Sequence, residues 1–217
     1  MIQPLQDLQK AFYEFPDWDQ DQELIRNLED CIRVQWDAGR AQIEKFRTDP
    51  QSDYAVSADA LKEILATQVE LSDIRTNPEL SNCIVFHTRN LSGSLIDDGV
   101  LEKRKLADAL MIERIRKLFG ETPVEVEVSG HFWYPEGGFM GWHTNLRKPG
   151  WRMYVNHAVS ENQSFFRYRE PASGEIITSW DKHWNFRLFE IAYERPFWHC
   201  VRSWTDRFSL GYKINCI

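Results

Sequence analysis

A change of hydrophobic period at Gly120 constrains this chain more than anything else in it. Before that point apolar residues recur every three to four positions. Leu24, Ile25, Leu28, Cys31, Ile32, Trp36, Ile43 and Phe46 do so between Pro16 and Thr48, and Leu106, Leu110, Ile112, Ile115 and Phe119 do so beyond Leu101. Such spacing lays an apolar stripe along a helix. A shorter helix is expected over Ser57–Leu65, with Ser57 placed as its N-cap, and Gly120 is placed to end the last one. After Gly120 the period is two: Val124, Val126 and Val128 alternate with Glu125 and Glu127. Segments 152–156, 164–169, 175–180, 185–191 and 207–213 read as further strands, separated by Pro149-Gly150, Ser160-Glu161-Asn162, Pro171-Ala172-Ser173-Gly174 and Pro196. Cys83–Phe86 reads as one earlier strand. Roughly six to eight short antiparallel strands fit a barrel or a two-sheet jelly roll. The expected class is therefore α+β, with a helical flank over 1–120 packed on a strand-rich core over 121–217, in one integrated domain.

Composition narrows the function. A chain of 217 residues, 42% of them hydrophobic, can bury one sizeable core. Its 26 basic and 33 acidic residues give a net charge of −7, which repels phosphate backbones and anionic lipid, and no Lys/Arg run offsets it. Nucleic acid and membrane are accordingly not expected as partners. No apolar stretch approaches the roughly 20 residues that span a bilayer. The opening Met1-Ile2-Gln3-Pro4 does not resemble a secretion signal, so a cytoplasmic location is expected. Cys31, Cys83, Cys200 and Cys216 lack zinc-site spacing and read as reduced, structural thiols. Tryptophan and phenylalanine gather after Gly130, as in an aromatic core or pocket.

Two short segments carry the chemistry. In Gly141-Trp142-His143-Thr144-Asn145, residues 143 and 145 share a face if the strand stays extended, so both can reach one metal ion. A further ligand must come from elsewhere, and His199, after Pro196-Phe197-Trp198, is placed to supply it. Two histidines and a carboxylate on one side of an ion form the facial triad of non-heme Fe(II) oxygenases. Here an amide stands where the carboxylate belongs. Arg207 and Ser209 share a face by the same parity, and a guanidinium beside a hydroxyl makes a clip for a carboxylate. His131, His157 and His183 have no matched partner and read as ordinary structural histidines.

His143-Thr144-Asn145, His199 and Arg207-Phe208-Ser209, in this order on a strand-rich half, resemble the Fe(II)/2-oxoglutarate-dependent oxygenases of the double-stranded β-helix (cupin-like) fold. The resemblance spans about residues 121–217 and is nearest to the aspartyl/asparaginyl β-hydroxylase and prolyl hydroxylase patterns. It implies Fe(II) held by His143, Asn145 and His199, and 2-oxoglutarate gripped at its far carboxylate by Arg207 and Ser209. It also implies Arg152 and Tyr154 near the other end of the cosubstrate, and Trp133 lining the same pocket. O2 is the implied oxidant, and hydroxylation of an unactivated C–H bond the implied reaction. A small molecule such as an amino acid is favoured as substrate over a protein side chain. Family members without the carboxylate include halogenases, which leave room for chloride, and two-histidine hydroxylases, which leave room for water. Asn145 is bulkier than the residue halogenases place there, which favours hydroxylation; a non-catalytic cupin-like binding module is the remaining alternative.

Overall fold

Local chemistry sets where the first long helix begins and where the last one ends. In the computed structural model, which describes residues 10–67, 80–87 and 98–217, α1 (Gln22–Ala38) starts at Asp21, whose carboxylate accepts the Leu24 amide at 3.1 Å, and gives way at Gly39 to the single turn α2 (Arg40–Ile43). The helical pattern expected across Pro16–Thr48 is thus divided: a 3-10 turn at Pro16–Gln20 precedes α1. α3 (Ala58–Ala66) starts at Ser57, whose hydroxyl accepts the Ala60 amide, and α4 (Asp98–Phe119) stops at Gly120, which adopts φ +60°. That left-handed conformation is open to glycine without steric cost.

Eleven strands among the described residues form two antiparallel sheets. β1 (Phe12–Glu14), β9 (Trp184–Ile191), β6 (Gly150–Ala158), β11 (Arg207–Cys216), β4 (Val124–Tyr134) and β3 (Ile84–His87) make the larger, in that order. β2 (Ser81–Asn82), β5 (Phe139–His143), β10 (His199–Ser203), β7 (Ser164–Arg169) and β8 (Ile176–Trp180) make the smaller. The first half of the chain therefore contributes strands to both sheets as well as helices.

Alternation along each strand sorts the side chains into three layers. Trp151, Met153 and Val155 of β6, Phe186 and Leu188 of β9, and Phe208, Leu210, Tyr212 and Ile214 of β11 point outward and are covered by Leu24, Leu28 and Cys31 of α1 and Met111, Ile115 and Leu118 of α4. The outer face of the smaller sheet, with Phe139, Trp142, Phe165 and Cys200, is covered by Val56 and by Ala60 and Leu61 of α3. Between the sheets lies a third cluster that draws Tyr134, Phe189 and Ile191 from one sheet and Met140, Phe166, Tyr168 and Val201 from the other. The remaining inward positions are polar, and they make the site. No helix among the described residues is long and apolar enough to cross a membrane.

Parity is broken once along β4. Leu210 pairs with His131 but Tyr212 pairs with Val128, so β4 carries one extra residue near Ser129 and Gly130. Such a bulge reverses which side chains face which layer. Val124, Val126 and Val128 face the helices before it, and Trp133 faces them after it.

Candidate active site

His143 ends β5 and His199 begins β10, directly opposite each other in the register. Their rings lie 4.0 Å apart between centroids, and both residues are buried. In each ring Nδ1 meets a backbone carbonyl two residues earlier, Gly141 at 2.8 Å and Phe197 at 3.0 Å. A carbonyl only accepts, so both Nδ1 atoms carry a proton, and in the neutral form of each ring the lone pair lies on Nε2. Burial, reinforced by the neighbouring His143, holds His199 well below the ordinary imidazole range, and the ring is neutral at physiological pH. Two imidazoles held through Nδ1 so that their Nε2 atoms are left to bind are metal-ligand chemistry.

Asn145 arrives by a different route from the one its spacing suggests. The strand ends at His143, and Asn145 stands beyond it in a left-handed conformation, φ +58°, with its carbonyl accepting the Lys148 amide at 3.0 Å. Extended parity with His143 therefore does not hold. The tight turn nevertheless brings its Nδ2 to 3.3 Å from Nε2 of His199. Asparagine tolerates this conformation better than most residues. Among the described residues no set of three His, Cys, Asp or Glu side chains converges, so the amide is the third polar group at the pair.

Further in, Arg207 and Ser209 both point between the sheets, as parity requires. Arg207 is almost completely buried; its Nε donates to Oδ2 of Asp181 at 2.7 Å, while Nη1 and Nη2 are buried with no partner among the described residues. A buried, half-unsatisfied guanidinium is costly unless an acceptor fills the gap. Ser209 Oγ accepts from Nδ2 of Asn156 at 2.9 Å, and Asn156 Oδ1 accepts from Arg187 at 3.1 Å. Arg187, fully buried, also pairs with the other Asp181 oxygen and reaches Ser179 and Glu14. Burial alone would raise the Asp181 carboxyl; Arg207 and Arg187 outweigh it and hold the group down at about 2. Asp181 is thus a fixed anion that orients Arg207 through one nitrogen and leaves two free.

Asp181, Asn156 and Tyr134 were not legible as part of this interior, and Arg187 stood out only as one of several strand arginines, with Arg147, Arg167 and Arg169, that could meet a carboxylate or lie at the surface. Arg187 follows Phe186 and precedes Leu188 and Phe189, so neither face of that strand reads as polar, and a lone Arg there looks like a surface residue. Tyr134 lies beneath the Arg207 guanidinium, 5.3 Å from it, and Phe166 lies 5.4 Å from the His199 ring and 5.8 Å from Arg187. Phe166 thus bridges His199 to Arg187, and it shares the inner cluster with the Tyr134 that underlies Arg207.

The other expected residues divide. Tyr154 points between the sheets, packs edge-on against Phe189 at 5.0 Å, and has its hydroxyl acted on by Asn145, Arg152 and Arg207; burial raises its pKa. Arg152, two residues back on the same face, is buried and donates to the carbonyls of Trp151 and Lys148. Trp133 is a correction. The β4 bulge turns it to the helix side, where it stacks on Phe208 at 5.1 Å and donates through Nε1 to Asp206 at 2.7 Å. It does not line the space between the sheets.

No protein-family model matches the sequence, and no curated protein matches it. Solved structures do. A prolyl hydroxylase from Trichoplax adhaerens, in complex with a hypoxia inducible factor oxygen degradation domain peptide, is 10% identical, with 95% of this chain and 84% of that one covered at a TM-score of 0.51. A prolyl-4-hydroxylase from Pseudomonas putida is 10% identical, with 96% and 94% covered at 0.50. A 2OG-Fe(II) oxygenase family oxidoreductase from Burkholderia pseudomallei is 17% identical over 75% and 80%, at 0.46. At such identities the likeness to the two prolyl hydroxylases is one of fold, and it extends over nearly the whole of this chain.

Proposed function

We propose that this chain is an Fe(II)- and 2-oxoglutarate-dependent oxygenase that hydroxylates an unactivated C–H bond of a small molecule. The observation that carries the reading is the buried Arg207 guanidinium, with two nitrogens unpartnered among the described residues, facing the same inter-sheet layer as an imidazole pair whose Nδ1 atoms are held by carbonyls. A dicarboxylate that ligates a metal at one end needs such an anion receptor at the other. The strand path supports it: β4 to β11 alternate between sheets in the order expected of a double-stranded β-helix, with β4, β6, β9 and β11 in one and β5, β7, β8 and β10 in the other.

The donor set fits Fe(II), which accepts imidazole nitrogen and amide oxygen. His143 and His199 would hold it through Nε2, with the Asn145 amide turned to present its oxygen or with water in that place. The metal and cosubstrate together supply the two-electron oxidation by O2 that a side chain cannot. Arg207 and Ser209 bind the far carboxylate, and Asp181 keeps Arg207 aimed. Asn156 and Arg187 hold Ser209 and Asp181 in turn. Phe166, Phe189 and Tyr134 exclude water from the path between the two ends.

Asn145 within reach of His199 leaves little space for a halide, which supports hydroxylation over halogenation. Product masses from reactions run with and without chloride separate the two. For the reading as a whole, calorimetry with Mn(II) in place of iron is the test. The wild type is expected to bind 2-oxoglutarate, and Arg207→Gln to weaken it at least about 30-fold, near 2 kcal/mol. Equal affinity in the two proteins overturns the reading and leaves a binding module.

A further inference from the structure

Arg152 is a third buried guanidinium in this interior; the resemblance sets it near the metal end of 2-oxoglutarate, but with the far carboxylate on Arg207 and the near one at the imidazole pair it has no carboxylate of its own. It is 5% exposed, faces the space between the sheets, and acts electrostatically on both His199 and Tyr154. Two of its five N–H groups are committed to the carbonyls of Trp151 and Lys148, which leaves three. Among the described residues it forms no ion pair; Glu127 is the one carboxylate acting on it, from beyond contact distance. The groups in this interior do not balance in charge. Arg152, Arg187 and Arg207 stand against Asp181, with Glu14 half exposed at the rim of Arg187. Adding Fe(II) and the 2-oxoglutarate dianion changes nothing, since the two cancel. Asn145 supplies no charge where a facial triad has a carboxylate. Both carboxylates of the cosubstrate are also placed, one on Arg207 and one at the imidazole pair. An uncompensated buried cation is expensive, and a second anion would relieve it.

We propose that the substrate is a small carboxylic acid whose carboxylate docks on Arg152, beside the imidazole pair. The proposal rests on the oxygenase reading and narrows it: Arg152 serves the substrate and not the cosubstrate. The bound carboxylate fixes which carbon faces the metal, and its charge makes good the one that Asn145 lacks. A neutral compound of the same shape leaves the guanidinium unpaired and is rejected on that account.

The test uses the full chain loaded with Mn(II) and 2-oxoglutarate. A panel of aliphatic amino acids and unsubstituted monocarboxylic acids, each paired with its primary amide, is titrated calorimetrically. At least one acid is expected to bind with a Kd below about 1 mM and its amide about tenfold more weakly or worse. Arg152→Gln abolishes that difference, Arg152→Lys retains most of it, and 2-oxoglutarate affinity stays within about threefold in both. Amides that bind as well as acids overturn the proposal, as does the absence of any binding acid or a preference that survives in Arg152→Gln. A tenfold loss of 2-oxoglutarate affinity in Arg152→Gln also overturns it, because Arg152 then holds the cosubstrate. Failure of the wild type to bind 2-oxoglutarate is read in a separate titration; it refutes the oxygenase reading, and this proposal falls with it.

Discussion

Asp181→Asn is the substitution that most directly tests how the carboxylate receptor is held together. Asp181 is fully buried, and its carboxyl is held at about 2 against an ordinary value of 3.8. That depression corresponds to roughly 2 kcal/mol of stability at neutral pH, net of the burial that opposes it. Removing the charge also strands Arg207, whose one hydrogen bond among the described residues runs to Asp181, beside Arg187. Breaking a buried pair from one side costs about 3–5 kcal/mol. Urea unfolding at pH 7, with a slope near 3 kcal/mol per molar, should show the midpoint falling by about 1–1.5 M. Asp53→Asn is the control. Asp53 pairs with the buried Arg202 at a similar 2.7 Å but is 72% exposed, so its loss should cost under about 1 kcal/mol. If the two variants lose the same stability, or Asp181→Asn loses less than about 1 kcal/mol, the buried anion does not hold Arg207 and the argument fails.

Asn145→Asp should raise Mn(II) affinity by about tenfold or more, about 1.4 kcal/mol, by adding a charged ligand beside His199; unchanged calorimetric affinity would mean that residue 145 does not meet the metal. Trp133→Phe should lose about 1–3 kcal/mol through the bond to Asp206 and packing on Phe208, yet leave 2-oxoglutarate affinity unaltered; a parallel fall in affinity would contradict its helix-side placement. Burial, with help from His183, pushes His157 down to about 4. The folded chain therefore leaves His157 neutral at pH values where the unfolded chain has already protonated it. Its contribution is complete above about pH 6.5 and lost as pH falls through about 4, roughly 2–3 kcal/mol in all. Urea midpoints between pH 7 and 4.5 should fall less in His157→Gln than in the wild type, and parallel profiles would refute this.

Regular elements were legible because their signals are local. Ser57 caps α3 and Gly120 ends α4 through chemistry contained within one turn, and the period-two runs after residue 120 all became strands. His143, His199, Arg207 and Ser209 were legible because the register places the imidazoles opposite each other and one parity serves the last pair. What failed depends on departures from regularity. A single extra residue in β4 moved Trp133 to the other layer, and the early end of β5 placed Asn145 by a turn. Asp181 gave no sign because it is defined by partners distant in sequence, and Arg187, one of several strand arginines able to meet a carboxylate, could not be told from a surface residue because a charged residue in a strand gives no sign of its own burial.

The strand β1 has a consequence for the order in which this molecule forms. Phe12, Tyr13 and Glu14 pair with Phe189, Leu188 and Arg187, and Phe12 stacks on Tyr168 at 4.3 Å within the inner aromatic cluster. Strand β1 thus waits for a partner that lies far along the chain. A pairing this distant in sequence makes loop closure slow and leaves the edge of β9 open until β1 docks on it. The sheet edge nearest Arg187 is therefore the natural weak point for aggregation of a nascent chain.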